Sequence, residues 1–268
     1  MSENAQPLLF RVEDGVAWLV MNRPEARNAM NMEMRAIYFD ALQKCAEDEA
    51  IRCVVLTATG KGFCTGADLS GSRAVKGDQG TPHPGATRAA MASSQKTIRA
   101  LWDLEKPIIA AVNGVAAGLG AHLAWACDLV IAADEARFIE IFVRRGIALD
   151  AAGAFLLPRL IGLHKAKELV FYGDDLSAAD AERLGLVNKV VPAADLEAET
   201  KKWAGRLATG PTFAIGLSKR LLNRSLQSDM ETCFAEEAFT QALTANSEDM
   251  REGIRSFMEK RSPAFKGR

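Results

Sequence analysis

Short apolar runs alternate with longer amphipathic segments along the first two thirds of the chain. Runs bounded by Gly, Pro, Asn or Asp predict strands at residues 8–12, 16–21, 53–58, 107–112, 128–132 and 186–191. Apolar residues three or four positions apart predict helices from Asn31 to near Glu47 and over residues 87–104 and 118–126. Strands and helices that alternate in this way indicate α/β layers.

Two local sequence signals near the start of the chain support the predicted strands and the first predicted helix. Glu13-Asp14-Gly15 joins the first two strands as a hairpin turn, and Asn31 is a favourable N-cap for the first helix. The apolar face of that helix is predicted to carry Met34, Ile37, Ala41, Leu42 and Cys45. Residues 71–85 combine many Gly and Pro residues with few apolar ones, which predicts a mobile loop.

The composition changes after Gly185, and everything beyond Pro192 is predicted to be helical. The helices are predicted at residues 196–208, 211–226, 230–245 and 248–260. The last of them places Ile254, Phe257 and Met258 on one side. We therefore expect two parts, an α/β core at residues 1–192 that carries the site and a helical region at residues 193–268 for oligomerisation.

Two segments share a design that suits the binding of a negatively charged oxygen. VVLTATGKGFCTGADL (residues 54–69) and IIAAVNGVAAGLGAHL (residues 108–123) each contain a buried strand, a Gly-containing turn and a helix start. Free N–H groups and the positive dipole end lie at a helix N-terminus, and glycine permits close approach to the backbone. Either turn alone could be an ordinary Gly-rich βα turn, but two of them could form an oxyanion hole.

Charge and cysteine content narrow the classes of function. The chain has 33 basic and 34 acidic residues, so no global field favours nucleic acid or an anionic membrane. Its five cysteines form no C-x-x-C pair and are expected to be reduced thiols. No signal-like start and no apolar run of spanning length is present, so we expect a cytoplasmic protein.

The amino-acid sequences of several motifs resemble those of the crotonase (enoyl-CoA hydratase/isomerase) family. FCTGADL (63–69) and AAVNGVAAGLGAHLAWACDLVIAAD (110–134) resemble the two oxyanion turns of that family. NRPEARNAMN (22–31), AERLGLVNKVV (181–191) and SFMEKRSPAF (256–265) also match, so the resemblance covers nearly the whole chain. It implies an α/β fold with a crotonase-type ββα spiral core and an α-helical C-terminal trimerisation region.

The resemblance also assigns binding roles to particular residues. The oxyanion N–H groups fall on Ala67 and on Leu119, where much of the family has Gly. Phe257 and Lys260 match positions that close over the adenine and phosphates of CoA, often from a neighbouring subunit. The residues expected at the CoA are Arg27, Ala67, Asp68, Leu69, Phe257 and Lys260. For Arg27 and Lys260, a solvated surface charge is an equal alternative.

The acid and base positions depart from the pattern of the family's hydratases. The two glutamates that hold a water in those enzymes fall on His122 and Phe142 here, and Phe cannot transfer a proton. A third position at which some family members carry their working acid is Asp150. Apolar neighbours would raise its pKa and make it a better base. Alternatively, Asp150 caps a helix that starts near Ala151.

Two further side chains are candidates at the same place. His122 follows the second turn and could orient Asp150 or the substrate, although a lone histidine is more often structural. Glu140 could replace the missing carboxylate if residues 140–142 are extended, or it could pair with Arg144 or Arg145. The catalytic candidates are therefore Asp150, Ala67, Leu119 and His122.

These features predict an acyl-CoA enzyme that isomerises a double bond or ring through a thioester enolate, with Asp150 as acid and base. Two alternatives stay open, an enoyl-CoA hydratase with an atypical site and a non-catalytic acyl-CoA-binding protein. No metal or separate cofactor is expected, because CoA is part of the substrate and the three histidines lack metal-ligand spacing. The family resemblance implies a homo-oligomer, either a trimer or a dimer of trimers.

Overall fold

The computed structural model describes residues 6–70 and 84–268, which form two sheets and a set of helices. The strands are β1 Leu8–Glu13, β2 Val16–Met21, β3 Cys53–Ala58, β4 Gly62–Cys64, β5 Ile108–Val112, β6 Val115–Ala117, β7 Leu129–Ala133, β8 Arg137–Ile139, β9 Asp175–Ser177 and β10 Lys189–Val191. The helices are α1 Met32–Glu47, α2 Pro84–Trp102, α3 Leu119–Ala126, α4 Gly153–Tyr172, α5 Ala178–Arg183, α6 Leu196–Ala208, α7 Thr212–Ser225, α8 Met230–Thr244 and α9 Glu248–Met258. The predicted loop at residues 71–85 lies outside the described residues, except for its last two positions, which begin α2.

The N-terminal elements follow from their local sequence signals. β1 and β2 pair antiparallel, and the turn residues Asp14 and Gly15 have φ values of 50° and 76°, as a two-residue hairpin requires. The side chain of Asn31 accepts a hydrogen bond from the Met34 N–H, so the predicted N-cap of α1 is confirmed. The apolar face of α1 also includes Tyr38, which the sequence analysis omitted.

The inner strands β2, β3 and β5 of the larger sheet are largely buried on both faces, as is usual for continuous apolar runs in a parallel sheet. The order of this sheet is β1-β2-β3-β5-β7-β10, and only the β1–β2 pair is antiparallel. Alternate residues, such as Val54 and Leu56, pack into the main core against the helices on that side. Their neighbours Cys53 and Val55 pack on the other face with Leu196, Ala204 and Ala208 of α6. The first C-terminal helix therefore closes one side of the sheet.

The sequence analysis missed the smaller sheet, which has the order β4-β6-β8-β9. Each of these strands has three residues, which is too short to produce a recognisable alternation. β4 lies inside the segment predicted to be a Gly-rich turn, and β6 immediately precedes α3. The small sheet therefore supports the segments that lead into both turns singled out above.

Polar contacts connect the C-terminal helices to the α/β core. The guanidinium of Arg52 donates hydrogen bonds to the Gly210 and Phe265 carbonyls and to Thr212 Oγ1. The buried ammonium of Lys219 lies 2.9 Å from a carboxylate oxygen of Asp128. The division into residues 1–192 and 193–268 stays an expectation, and α6 packs directly on the sheet.

Membrane-spanning helices, metal clusters and disulfides each bear on the class of protein. None of its helices is long and apolar enough to cross a bilayer. Within residues 6–70 and 84–268, no group of three or more His, Cys, Asp or Glu side chains is placed to hold a metal ion. All five cysteines are free, and four of them are buried.

Replacing Asn28 by Ala is expected to lower the free energy of unfolding by roughly 3 kcal/mol. The Asn28 side chain is fully buried, accepts from the Arg23 N–H, and donates to the Thr59 and Gly62 carbonyls. Its removal leaves all three backbone groups without this partner, and urea unfolding measures the loss. Asn246→Ala is the control, because Asn246 is exposed and its side chain makes no hydrogen bond within the described chain. Equal stability of the two variants would contradict the expectation.

Candidate active site

The first turn presents the N–H group of Ala67. Met30 bridges this turn, because its N–H donates to the Gly66 carbonyl at 2.8 Å and its carbonyl accepts from the Asp68 N–H at 3.1 Å. In a bridge of this kind, the N–H of the central residue points to the opposite side. Among the described residues, the Ala67 N–H has no hydrogen-bond acceptor.

The second turn presents the N–H group of Leu119. Gly118, with φ 53°, is the N-cap of α3, and its own N–H donates to the Ile139 carbonyl at 2.9 Å. Leu119 is the first residue of α3, so its N–H has no acceptor within the helix. The described chain supplies no other acceptor for it. The positive end of the helix dipole adds to the attraction of this group for an anionic oxygen.

Glycine allows the two turns to approach each other closely. A Cβ atom on Gly120 would lie 1.9 Å from the Cys64 carbonyl oxygen, and one on Gly66 would lie 3.8 Å from the Leu119 nitrogen. Gly66 has φ 104°, which disfavours any other residue. The turn that carries Ala67 therefore packs against the start of α3. This arrangement suits two donors to one oxygen, and the oxyanion role of Ala67 and Leu119 stays a prediction.

A buried pair of side chains lies one helical turn beyond Leu119. His122 Nε2 and Glu140 Oε1 are 2.9 Å apart, and both residues are almost fully buried. The phenyl ring of Phe142 stacks on the His122 imidazole, with 5.5 Å between ring centroids. The alternative of a Glu140 ion pair with Arg144 or Arg145 is wrong, since Glu140 pairs with His122 and Arg144 pairs with Asp175.

Asp150 is half-buried beside this pair. Burial raises the pKa of the Asp150 carboxyl, His122 opposes that rise, and Glu140 adds to it. The alternative of Asp150 as an N-cap is wrong, because α4 begins at Gly153 and has no side-chain cap. The chain reaches α4 through two residues with positive φ, Ala151 and Ala152.

A glycine makes room for the imidazole where α4 begins. A Cβ atom on Gly153 would lie 2.5 Å from both Cε1 and Nε2 of His122. The His122 ring therefore lies against the start of α4, and the Asp150 backbone carbonyl accepts a hydrogen bond from the Gly153 N–H at 2.9 Å. The catalytic roles predicted for His122 and Asp150 stay predictions.

The residues predicted to bind CoA lie in two places. Arg27 is exposed, and its carbonyl accepts from the Thr65 N–H at 3.2 Å, so Arg27 lies next to the first turn. Asp68 pairs with Arg23 at 2.9 Å, and hydrogen bonds from Ser70 and then Arg23 hold its pKa below the ordinary value. The side chain of Leu69 is 44% exposed.

Phe257 and Lys260 are exposed at the C-terminal end of α9. No hydrogen bond or ion pair within the described chain joins them to the first turn. Lys260 lies beyond the helix, with φ 52°, whereas the sequence had extended the helix to residue 260. The roles predicted for both residues at the CoA stay predictions.

Two long-range contacts near the site were not predicted, the Arg23–Asp68 ion pair and the His122–Glu140 hydrogen bond. Arg23 and Asp68 are 45 positions apart, and His122 and Glu140 are 18 positions apart. Neither separation matches the three or four positions of a helical pair or the two positions of a strand face. No local signal could have revealed these pairs.

Comparisons with known proteins agree with this architecture. The enoyl-CoA hydratase/isomerase family matches residues 11–268, so the chain belongs to that family. It is 41% identical over 261 residues to 1,2-epoxyphenylacetyl-CoA isomerase of Escherichia coli (strain K12), covering 97% of this chain and 98% of that protein. It is 37% identical over 259 residues to crotonyl-CoA hydratase of Syntrophomonas wolfei, covering 96% and 97%.

A solved structure is similar over the same length. Enoyl-CoA hydratase/isomerase from Cupriavidus metallidurans CH34 superposes with a TM-score of 0.91 at 34% identity, covering 99% of this chain and 98% of that one. The predicted crotonase-type α/β fold with a helical C-terminal region is confirmed, and the protein is an enzyme of this acyl-CoA family. The trimerisation assigned to the helical region stays a prediction.

Replacing Gly120 by Ala is expected to lower the free energy of unfolding by about 2–3 kcal/mol and to weaken acyl-CoA binding. The added methyl group would collide with the Cys64 carbonyl, so the two turns must separate. Gly205→Ala is the matched control, because nothing lies within 4 Å of its Cβ position inside α6. That change is expected to stabilise the protein by up to about 1 kcal/mol. Urea unfolding and calorimetric titration with acyl-CoA measure both effects, and unchanged binding by Gly120→Ala would contradict the expectation.

Proposed function

We propose that this enzyme isomerises a double bond or ring of an acyl-CoA through a thioester enolate, with Asp150 as the acid and base. The observation that carries the proposal is the half-buried Asp150 carboxyl, whose pKa is raised by burial, in a chain where the family resemblance assigns Phe142 to the second hydratase-glutamate position. The similarity to 1,2-epoxyphenylacetyl-CoA isomerase, a relative named as an isomerase of a CoA thioester, supports the same reaction class.

The two backbone donors stabilise the enolate. Negative charge develops on the thioester oxygen when a proton leaves the neighbouring carbon, and fixed N–H groups stabilise that charge better than the neutral carbonyl. Each donor of this kind contributes about 3–4 kcal/mol, judged by the loss when one is removed. The N–H groups of Ala67 and Leu119 are free of other acceptors in the described chain, which supports this assignment.

Asp150 moves the proton from one carbon of the substrate to another. Its raised pKa, which results chiefly from burial, makes the carboxylate a stronger base. A single group that takes and returns a proton is sufficient for isomerisation. The side chain of Phe142 cannot hold or activate a water, so isomerisation accounts better than hydration for the residues present.

Hydration is the second candidate. The similarity to a relative named crotonyl-CoA hydratase supports it, and so does the buried carboxylate of Glu140 near the site. A non-catalytic acyl-CoA binder is the remaining alternative. The substrate itself brings the CoA, and we propose no metal or other cofactor.

Asp150→Asn is expected to lower kcat/KM for isomerisation by about 10²–10⁴-fold. The protein is incubated with 2-enoyl-CoA, 3-enoyl-CoA and phenylacetyl-CoA-derived substrates in deuterated water, and mass spectrometry follows product and deuterium at the α and γ carbons. The wild type is expected to exchange deuterium and to shift the double bond. Its kcat/KM should fall in acid with an apparent pKa above the ordinary carboxyl value of about 4. An amide cannot titrate, so Asp150→Asn should lose both the deuterium exchange and this acid-side fall in kcat/KM.

Asp174→Asn is the matched control, since Asp174 is exposed and makes no side-chain contact in the described chain. Accumulation of a 3-hydroxyacyl-CoA without isomer would support hydration instead. Tight CoA binding without any exchange would support the non-catalytic binder.

Thermal stability provides a separate check on the raised pKa of Asp150. A raised carboxyl pKa means that the ionised carboxylate opposes folding at neutral pH. Asp150→Asn should therefore raise Tm at neutral pH.

We also propose that the chain assembles as a trimer or a dimer of trimers through its C-terminal helices. Ile254, Phe257 and Met258 of α9 are 56%, 81% and 74% exposed in the single chain, an apolar exposure that a subunit contact would cover. Light scattering is expected to give three or six times the chain mass. A monomer at micromolar concentration would contradict this part of the proposal.

A further inference from the structure

The direction of the Leu119 N–H group is set by the residue before it. Gly118 has φ 53° and ψ −121°, a combination that only glycine adopts readily. Because a peptide unit is planar, the ψ angle of Gly118 determines where the Leu119 N–H points. Any group that holds the backbone of Gly118 therefore also holds this donor.

One short segment contacts Gly118 from two directions. The Ile139 carbonyl, at the end of β8, accepts a hydrogen bond from the Gly118 N–H at 2.9 Å. A Cβ atom on Gly118 would lie 3.2 Å from Ile141 Cγ2 and 3.5 Å from Phe142 Cζ. The ring of Phe142 is buried, and it packs against the backbone that carries the second donor.

A buried hydrogen-bonded pair supports the Phe142 ring from behind. The His122 imidazole stacks on this ring, with 5.5 Å between ring centroids and an interplanar angle of 17°. His122 Nε2 lies 2.9 Å from Glu140 Oε1, so the Glu140 carboxylate limits rotation of the imidazole. The side chains of His122 and Glu140 are 0% and 1% exposed, so neither presents a surface to a substrate in this structure. Contacts therefore run without a gap from Glu140 to the backbone of Gly118.

Stability alone does not account for this pair. His122 Nδ1 and Glu140 Oε2 are buried and have no hydrogen-bond partner among the described residues. Buried polar atoms without partners lower stability, and apolar side chains of the same volume would avoid that loss. Holding the ring of Phe142 in one place gives the pair a role in the geometry of the site.

We propose that three side chains position the N–H donor of Leu119 without touching the substrate. Phe142 packs against Gly118 and is supported by the imidazole of His122. Glu140 in turn orients that imidazole. This inference rests on the proposed function, because it concerns a donor assigned to the thioester oxygen. It gives His122 and Glu140 a role that requires no proton transfer.

The first experiment observes the donor itself in the free protein. Glycine is labelled with carbon-13 at the carbonyl and leucine with nitrogen-15, so an HNCO spectrum shows only Gly–Leu pairs, of which the chain has four. The Leu119 signal is the one that Leu119→Ile lacks. We expect Phe142→Leu to move the carbon and nitrogen shifts of this signal, because the peptide loses its aromatic support. These two shifts follow the backbone torsion angles more than the loss of a nearby ring current.

Phe171→Leu is the matched control for Phe142→Leu. Phe171 is 64% exposed near the end of α4, so its replacement should leave the Leu119 signal unchanged. An unmoved Leu119 signal in folded Phe142→Leu would overturn the proposal. If Phe142→Leu fails to fold, Phe142→Met replaces it in the same measurement.

A second comparison tests the pair behind the ring. Glu140→Leu removes the acceptor for the imidazole and should also move the Leu119 signal. Glu140→Gln keeps an acceptor oxygen, so its signal should stay near the wild-type position. Equal Leu119 signals in Glu140→Leu and the wild type would remove His122 and Glu140 from the proposal. Glu140→Met is measured instead if Glu140→Leu fails to fold.

A bound thioester shows whether the position of the donor matters to the carbonyl. Infrared spectroscopy follows phenylacetyl-CoA that carries carbon-13 at the thioester carbonyl. Binding to the wild type should lower the C=O stretching frequency, and binding to Phe142→Leu should lower it less. For isomerisation, Phe142→Leu should reduce kcat by about 10–10²-fold with little change in KM. A raised KM with unchanged kcat would contradict the positioning role, and Phe171→Leu should match the wild type.

Failure of the proposed function has a different signature. A carbonyl frequency that binding to the wild type leaves unshifted would remove the oxyanion assignment. Activity that survives Asp150→Asn would remove the acid and base assignment. The NMR results on the free protein would stand in both cases, because they report only how the side chains hold the Leu119 peptide.

Discussion

Contact between two backbone turns is the constraint on which the rest of the site depends. Gly120 packs against the Cys64 carbonyl at a distance that no side chain could share, and Gly66 lies beside the first amide of α3. Each turn by itself presents one free N–H group, which is common at the start of a helix. The predicted oxyanion role of Ala67 and Leu119 requires this close approach of the two turns. The surrounding sheets serve this contact, because the short strands β4 and β6 pair directly beneath it.

Residues with positive φ and buried polar side chains lie close to Asp150 in the chain or in the fold. Ala151 and Ala152 both have positive φ, which costs about 1 kcal/mol or more for each non-glycine residue. A buried histidine–glutamate pair also contributes less to stability than apolar residues of the same volume would. Features that reduce stability and cluster around one half-buried carboxyl are better explained by chemistry than by folding. The Asn28 hydrogen bonds and the Lys219–Asp128 pair, by contrast, tie separate segments together.

The relatives of this chain include a protein named as an isomerase and a protein named as a hydratase, so membership of the family does not by itself define the reaction. In this chain the family resemblance assigns a histidine and a phenylalanine to the two positions of the water-holding carboxylates, and the proposed acid and base is an aspartate. The reaction must therefore be argued from the side chains around the site and not from the fold.

Structural features that depend on residues close together in the chain were predictable from the amino-acid sequence. The hairpin at Asp14-Gly15, the Asn31 cap and the doubly buried strands follow from turn geometry, capping chemistry and unbroken apolar runs. The sequence motifs were also sufficient to name Ala67, Leu119, His122 and Asp150 as catalytic candidates. Only the tertiary structure decided that Glu140 pairs with His122 rather than with a nearby arginine, and that Asp150 does not cap α4. It also revealed the small sheet, whose three-residue strands are stabilised by pairing with distant segments. Long-range partners of this kind are selected by packing in three dimensions, and the spacing of residues along the chain carries no record of them.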